Sequence, residues 1–181
     1  CDKIIATGSQ NNVHRAQTAG RPAVAVGAGN VTVIVDETAD LDAAAAKIRA
    51  SKTFDNATSC SSENSVVVVD AIYDAFVEAM ARNGGAVVND ETAIVSSLWP
   101  DGHLNRTVIA QDADKMIAGL GLSDTVPSGT EYIAVPTKGI GADHPLSGEK
   151  LSRVLAMYRA SDFEDAVQTT LRIQLHMGAG H

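Results

Sequence analysis

Cysteine is scarce in this sequence, and the scarcity argues against a disulfide framework. The 181 residues contain two cysteines, Cys1 and Cys60, and Cys1 stands at the end of the chain, where a cross-link would constrain little. Small secreted domains that depend on disulfides carry several closely spaced cysteines. We therefore expect no disulfide-based fold.

Long apolar runs and a secretory leader are also missing. A helix that spans a membrane needs roughly 18 to 20 apolar residues, and no run in this sequence approaches that length. The first residues do not show the charged, apolar and small-residue order of a signal peptide. We expect no membrane partner and a cytoplasmic location.

Positive charge is in the minority. The chain has 14 Lys and Arg against 22 Asp and Glu, a formal charge of −8 and a pI near 4.9. Nucleic acids and anionic membranes are bound by clustered basic residues, so neither is expected as a partner. The five histidines show no metal-ligand spacing, and no serine lies in a Gly-x-Ser-x-Gly elbow. We therefore predict no metal site, and a serine hydrolase is unsupported.

Apolar segments rich in β-branched residues alternate with segments of helical periodicity. The pattern predicts strands at residues 3–6, 23–26, 31–35, 65–69, 107–109, 132–135 and 153–158. It predicts helices at residues 12–19, 41–53, 71–81, 91–98, 112–119 and 162–177, with Asp40 as an N-cap and Gly84-Gly85 as a stop. Such alternation is typical of a layered α/β domain with a largely parallel sheet.

Cys60 lies in a polar loop, residues 54–64, between an alanine-rich helix and a valine-rich strand. Structural cysteines are usually buried among apolar side chains, whereas reactive cysteines lie partly exposed in polar loops that stabilise the thiolate. The loop is compatible with both a reactive thiol and an ordinary polar-loop cysteine.

Two glycine-containing turns and one glutamate are further candidates. Thr7-Gly8-Ser9 follows a predicted strand and precedes a helix, which suits either a phosphate-approach turn or a turn built for geometry alone. Gly27 to Asn30 has the same two interpretations. Glu149 ends a long Gly- and Pro-containing loop and, taken alone, is an ordinary solvated residue.

Four motifs occur in order along the chain. They are Ala6-Thr7-Gly8-Ser9, Val26-Gly27-Ala28-Gly29-Asn30, Lys52-Thr53-Phe54-Asp55-Asn56 leading to Cys60, and Glu149-Lys150-Leu151-Ser152 followed by Leu155-Ala156-Met157-Tyr158-Arg159-Ala160. Taken together, these motifs resemble the aldehyde dehydrogenase superfamily, most closely its coenzyme A-acylating branch, to which acetaldehyde and sulfoacetaldehyde dehydrogenases belong. The resemblance runs the length of the chain.

The resemblance implies a role for each matching residue. Cys60 falls on the catalytic thiol, and its own backbone N–H would help to hold the oxyanion. Gly8 and Ser9 fall on the turn that approaches the dinucleotide, and Glu149 on the carboxylate that binds the nicotinamide ribose. The implied activity is oxidation of a small aldehyde, with hydride transfer to NAD or NADP and acyl transfer to coenzyme A.

The resemblance also implies the organisation of the chain. Residues 1–22 would be the C-terminal part of a Rossmann-like dinucleotide-binding domain, and residues 23–181 an aldehyde dehydrogenase-like, thiol-bearing catalytic domain. A start on Cys rather than Met, and an end on small residues, suggest truncation at both ends. The upstream Asn that completes the family's oxyanion hole, most of its dinucleotide domain and its C-terminal assembly strand are not in this sequence. A homo-oligomer is implied for the full-length enzyme.

Two departures from the family pattern bear on the chemistry. Val26 stands where hydrolytic members have a Glu that activates water, which favours acyl transfer to coenzyme A, unless another carboxylate such as Glu63 acts as the base. Arg153 stands where Pro is more common and could mark an anionic substrate. Sulfoacetaldehyde is the suspected aldehyde, and the choice between NAD and NADP stays open. A hydrolytic enzyme and a non-catalytic binding or assembly piece remain the alternatives.

Overall fold

Strands and helices alternate along the chain. The computed structural model describes residues 1–177, at Gln10 for the backbone only, and the small-residue end at 178–181 lies outside the described residues. The strands are β1 (Ile4–Thr7), β2 (Ala23–Val26), β3 (Thr32–Val35), β4 (Ser65–Val69), β5 (Gly85–Val87), β6 (Tyr132–Pro136) and β7 (Val154–Ala160). The helices are α1 (Gln10–Gln17), α2 (Leu41–Thr53), α3 (Tyr73–Arg82), α4 (Glu91–Leu98), α5 (Ala113–Gly119) and α6 (Phe163–Met177).

Five strands form one parallel sheet in the order β3-β4-β7-β6-β5. The prediction of a layered α/β fold with a largely parallel sheet is confirmed. In β4 the apolar residues form a continuous run and do not alternate with polar ones. Val66 to Val69 are all fully buried, because both faces of the sheet are covered.

Alternate side chains of β4 enter the two cores on opposite faces of the sheet. Val67 and Val69 pack with residues of α4, α5 and α6, whereas Val66 and Val68 pack with residues of α2 and α3. This follows from the two-residue side-chain period of a strand. The sheet is therefore held rigidly from both sides, and its edges provide fixed positions for the loops that carry the candidate residues.

A second, two-stranded parallel sheet joins β1 and β2, with Ile4 opposite Ala23 and Thr7 opposite Val26. The change from this sheet to the five-stranded one falls between β2 and β3, so Ala23–Val26 pairs with the first segment of the chain. The assignment of residues 1–22 to a dinucleotide-binding domain and of 23–181 to a catalytic domain stays a prediction.

The predicted strand at residues 107–109 is wrong, because this segment is a series of turns. The side chain of Asn105 accepts hydrogen bonds from the backbone N–H (3.0 Å) and the hydroxyl (2.7 Å) of Thr107. Such local bonds favour a turn over an extended strand. Val108 nevertheless packs in the core, which explains the apolar signal.

β5 is a strand that the glycine pair concealed. Gly84, at φ 77°, ends α3 as predicted, but Gly85 begins β5. A Cβ on Gly85 would lie 2.7 Å from the ring of Tyr132, so only glycine lets β5 pair with β6 in this register. Glycine commonly marks the end of a helix, as Gly84 does, but at Gly85 it allows two strands to come close together.

None of the helices within residues 1–177 combines the length and the apolar character that crossing a membrane requires.

Candidate active site

The structure brings Cys60 and Glu149 to the same edge of the five-stranded sheet. Cys60 lies just before β4 and Glu149 just before β7, and these strands are parallel neighbours. The amino ends of parallel neighbours meet at one edge. The backbone N–H of Lys150 also donates to the Asn64 side-chain oxygen at 3.2 Å, so the two segments are joined directly.

The thiol of Cys60 is exposed in a tight turn. The N–H of Ser62 donates to the carbonyl of Ser59 at 3.0 Å, and the hydroxyls of Ser59 and Ser61 are hydrogen-bonded at 2.9 Å. No backbone hydrogen bond within residues 1–177 uses the N–H of Cys60. An accessible sulfur beside an uncommitted donor is what thiol addition to a carbonyl requires.

A strained turn precedes this loop. Asp55, Asn56 and Ala57 have φ values of 47°, 52° and 58°, in the left-handed region, where each ordinary residue costs roughly 1 to 2 kcal/mol. Thr58 closes the turn, because both its N–H (3.1 Å) and its hydroxyl (2.7 Å) donate to the carbonyl of Asp55. The turn is therefore held in one shape directly before the thiol.

Arg153 reaches this turn. Its Nε and Nη2 donate to the side-chain oxygen of Asn56 at 3.1 and 2.6 Å. A role for Arg153 in binding an anionic substrate, as the sequence suggested, would require its guanidinium to leave Asn56. That role stays untested.

Two buried lysines fasten the loops at this edge, and the sequence reasoning assigned neither of them a role. Lys52 is 1% exposed, and its Nζ donates to the carbonyls of Glu63 and Ser152 at 2.9 Å each. Lys150 is 0% exposed, and its Nζ donates to the carbonyls of Leu146 and Gly148 at 2.7 Å each. Lys52 therefore joins the end of the Cys60 loop to the start of β7, and Lys150 closes the loop that ends in Glu149.

A signal for Lys52 is present in the sequence. The buried residues of α2 are Ala45, Ile48 and Lys52, which recur at helical spacing. A lysine on the apolar stripe of a helix must be paired or hydrogen-bonded. The stripe thus predicts a buried amine, although it does not predict which carbonyls that amine bonds.

Burial lowers the pKa of both amines. The pKa of Lys52 falls from 10.5 to about 7, with the charge of Glu63 partly opposing the shift. The pKa of Lys150 falls well below 10.5 because of burial and the nearby charge of Lys52, and the Glu149 carboxylate partly offsets this. The edge thus holds two buried amines with lowered pKa values, and the charge of Lys52 responds near neutral pH.

We predict that Lys52 makes stability rise with pH. Between pH 7 and 10.5 the unfolded chain keeps the Lys52 proton and the folded chain has lost it, so the unfolding free energy increases by up to about 1.4 kcal/mol per pH unit. Lys52→Met should flatten this rise. Urea unfolding at pH 7, 8 and 9 measures it, with the exposed Lys47 of α2, changed to Met, as the matched control. Parallel profiles for wild type and Lys52→Met would contradict the prediction.

Gly8 and Ser9 form the turn between β1 and α1. Gly8 has φ 131°, a conformation open only to glycine, and its N–H donates to the carbonyl of Val26 at 3.2 Å. The hydroxyl of Ser9 caps α1 by accepting from the N–H of Asn12 at 3.4 Å. Fold geometry thus accounts for both residues.

Asn30 was missed as an anchor. Its side-chain N–H groups donate to the carbonyls of Ser147 at 2.6 Å and Ile173 at 3.0 Å, and the residue is 3% exposed. The Gly-containing motif after β2 is therefore fastened to the loop that leads into Glu149. An Asn that follows two glycines is the feature of the sequence that could have indicated an anchoring residue, but its distant hydrogen-bond partners cannot be read from the sequence.

The large cavity of the structure lies elsewhere. Its volume is about 1130 Å³, and its lining includes Pro136 to Gly139 and Ala160 to Ser161, which lie at and just beyond the carboxyl ends of β6 and β7. That is the carboxyl edge of the sheet, opposite to Cys60. The candidate residues Cys60 and Glu149 lie at the amino edge instead. Within residues 1–177, no group of three His, Cys, Asp or Glu side chains could hold a metal ion.

The sequence and the fold match known proteins. The model of the aldehyde dehydrogenase family matches residues 1–93. The acylating sulfoacetaldehyde dehydrogenase of Cupriavidus necator is 47% identical over 182 residues, which cover 99% of this chain and 37% of that protein. The acetylating succinate-semialdehyde dehydrogenase of Clostridium kluyveri is 38% identical over 183 residues, which cover 99% of this chain and 40% of that protein.

A solved structure of an aldehyde dehydrogenase also matches the fold of this chain. The crystal structure of an acetylating aldehyde dehydrogenase from Geobacillus thermoglucosidasius superposes with a TM-score of 0.92 at 31% identity, covering 99% of this chain and 40% of that one. The chain thus spans about two fifths of the length of these relatives. The predicted α/β architecture, including its likeness to this family, is confirmed.

Proposed function

We propose that this chain, which belongs to the aldehyde dehydrogenase family, is the thiol-bearing part of an NAD(P)-dependent, coenzyme A-acylating aldehyde dehydrogenase. One observation carries the proposal: the exposed Cys60 lies on the sheet edge that also holds Glu149, and the hydrogen bond from Lys150 to Asn64 joins their segments. The names of the relatives, acylating and acetylating, support transfer of the acyl group to a thiol.

Cys60 is the proposed nucleophile. Its thiolate adds to the aldehyde carbon, and the carbonyl oxygen becomes an oxyanion near the Cys60 N–H. When bound, the dinucleotide supplies the hydride acceptor, and a thioester remains on Cys60. The thiolate of coenzyme A then attacks the acyl carbon, and Cys60 leaves as a thiolate. Each bond that forms at the acyl carbon is thus matched by one that breaks.

Gly8, Ser9 and Glu149 are the proposed dinucleotide-binding residues. Gly8 has no Cβ and holds a glycine-only conformation, so a phosphate group can come close to the backbone at the start of α1. Glu149 is half-buried and could accept hydrogen bonds from a ribose. These features support the assignment of residues 1–22 to the end of a dinucleotide-binding domain and of residues 23–181 to the catalytic domain.

The substrate is proposed to be a small aldehyde, and sulfoacetaldehyde is the first to test because the Cupriavidus necator relative carries that name. A homo-oligomeric, cytoplasmic enzyme is proposed for the full-length protein. The choice between NAD and NADP is left to experiment. Assay of the full-length protein with a panel of aldehydes, each dinucleotide, and coenzyme A present or absent tests the proposal directly. Formation of acyl-coenzyme A supports it, and free acid as the sustained product favours the hydrolytic alternative.

The 181-residue chain by itself should neither bind the dinucleotide tightly nor oxidise aldehydes. It covers 37% of the length of its Cupriavidus necator relative, and the proposed dinucleotide-binding segment, residues 1–22, contributes one strand, β1, among the described residues. Cys60 should still react with iodoacetamide, because its thiol is exposed. Calorimetric titration with NAD checks this, and a micromolar dissociation constant would contradict it. An unreactive Cys60 would favour the non-catalytic alternative.

A further inference from the structure

Backbone strain is concentrated at one place in the molecule. Six non-glycine residues in the 1–177 range have positive φ; hydrogen bonds link three of them, Asn56, Ala110 and Leu151, and two more are the chain neighbours of Asn56. The side-chain N–H of Asn56 donates to the carbonyl of Ala110 at 3.4 Å, and the N–H of Ala110 donates to the carbonyl of Leu151 at 2.9 Å. The five are Asp55, Asn56, Ala57, Ala110 and Leu151. Strained residues that cluster in this way often mark a functional site.

The Asn56 amide uses both of its ends. The oxygen accepts from Nε and Nη2 of Arg153, and the nitrogen donates to the carbonyl of Ala110 and to a carboxylate oxygen of Asp112 at 3.3 Å. An aspartate at this position could not donate, and it would add a negative charge beside Asp112. The site therefore selects a side chain that accepts at one end and donates at the other.

Arg153 is itself fixed to the central sheet. Its carbonyl accepts from the N–H of Ile133 in β6 at 3.0 Å, and its Nη1 donates to the carbonyl of Glu131 at 3.4 Å. Glu131 in turn forms an ion pair with Arg49 of α2, the helix that runs into the strained turn. A guanidinium presents several donors in a rigid plane, so it can fix the Asn56 oxygen in a way that a lysine cannot.

We propose that Arg153 and Asn56 are a positioning pair, which holds residues 55–57 in their left-handed conformation and thereby sets the place of Cys60 on the sheet edge. The chain of contacts runs from the sheet through Arg153 to Asn56, and the turn closed by Thr58 leads directly into the turn that carries the thiol. In this proposal the pair acts through the position of Cys60 and not through contact with substrate. This inference rests on the proposed function for its kinetic consequence.

The kinetic test uses the full-length protein with its aldehyde, dinucleotide and coenzyme A. Arg153→Met should lower kcat by about 10- to 100-fold, since small misplacements of a reacting group have effects of this size, while KM for the aldehyde stays within about threefold. Arg153→Lys keeps the charge and loses the two-point contact, so its kcat should fall between those of Arg153→Met and wild type. A loss confined to KM would overturn the proposal, as it would indicate contact with substrate.

A second substitution tests the role of strain. Ala57→Gly removes the Cβ that disfavours φ 58°, so the turn should persist without its support. We expect Ala57→Gly to restore kcat at least about threefold in the Arg153→Met background, and to have a smaller effect in the wild-type background. Equal effects in the two backgrounds would show that the strained turn and Arg153 act independently, and the proposal would fail.

Arg82→Met is the matched control. Arg82 makes a comparable two-point contact, with its Nε and Nη2 on Asp42 at 3.1 and 3.0 Å, but this contact joins α3 to α2 on the surface. It should leave kcat unchanged, and a drop as large as that of Arg153→Met would overturn the proposal.

Urea unfolding does not depend on turnover, so it tests the positioning pair separately from the proposed function. If wild type does not oxidise aldehydes, the proposed function fails, and the same variants are then compared by urea unfolding. Coupling between Arg153→Met and Ala57→Gly in the unfolding midpoint supports the positioning pair in that case. Additive midpoints overturn it.

Discussion

Replacing Cys60 with alanine in the full-length protein is expected to remove aldehyde oxidation while dinucleotide binding is kept. The thiol is exposed at the sheet edge and carries the covalent step in the proposed reaction. Loss of a covalent nucleophile costs roughly a thousandfold or more in kcat, because the route through a covalent thioester is then closed. Steady-state formation of NADH or NADPH by the purified variant measures the loss.

Cys1→Ala is the control for this experiment, because Cys1 is the other free and exposed thiol of the chain. It should keep the wild-type rate. Calorimetric titration of Cys60→Ala with the dinucleotide checks that the binding site is intact. If the alanine variant kept a tenth of wild-type turnover, Cys60 would not be the nucleophile.

The sequence predicts the sheet and the position of the thiol well, since both depend on local patterns. The valine run at Ser65–Val69 is long enough and apolar enough to be a strand buried on both faces. Cys60 precedes it in a polar loop. Once the strands are parallel and β4 neighbours β7, the proximity of Cys60 and Glu149 follows. Only that neighbour relation required the structure.

The supports of the site could not be predicted, because they join residues far apart in the chain. Lys52 bonds the carbonyl of Ser152, and Asn30 bonds that of Ser147. The partner in each case is a backbone carbonyl, which every residue has, so side-chain identity gives no hint of it. β5 was hidden for a similar reason: the need for Gly85 comes from the ring of Tyr132, which lies on the neighbouring strand.

The position of the thiol departs from a general tendency of parallel α/β sheets. Ligands usually bind beyond the carboxyl ends of the strands, and the cavity of about 1130 Å³ lies there. Cys60 and Glu149 lie beyond the amino ends of β4 and β7. The strained turn and the buried lysines provide a rigid surrounding for this edge. At the amino edge, the hydrogen bonds that anchor the Cys60 and Glu149 loops can thus supply the fixed geometry that catalysis needs.

How the thioester on Cys60 is released depends on the residue at position 26. Val26 ends β2, and the segment that follows it reaches Val31, whose carbonyl accepts from the N–H of Asn64 at 2.8 Å. The motif thus passes beside the Cys60 loop. A valine cannot accept a proton, so it cannot activate water near neutral pH. The thiol of coenzyme A already has a few per cent of thiolate at pH 7 and is a far better nucleophile.

Glu63 is the competing candidate for a general base. It lies within the Cys60 loop, it is half-buried, and its Oε2 is buried without a hydrogen-bond partner among the described residues. If Glu63 activated water, the enzyme would hydrolyse its thioester without help from coenzyme A. Glu63→Gln would then stop the formation of free acid while leaving the first hydride transfer in place.

Without coenzyme A, the full-length enzyme is therefore expected to release a single burst of NADH or NADPH, about one per active site, and then to stall. Addition of coenzyme A should restart turnover, with acyl-coenzyme A as the product.

Val26→Glu places a carboxylate at the end of β2 and should raise the turnover that occurs without coenzyme A. Val24→Glu, on the exposed face of the same strand, is the matched control and should not. Rapid-mixing absorbance at 340 nm, the wavelength at which reduced nicotinamide absorbs, follows the burst and the stall. Sustained turnover of the wild type to free acid would refute acyl transfer to coenzyme A, and its loss in Glu63→Gln would identify the base responsible.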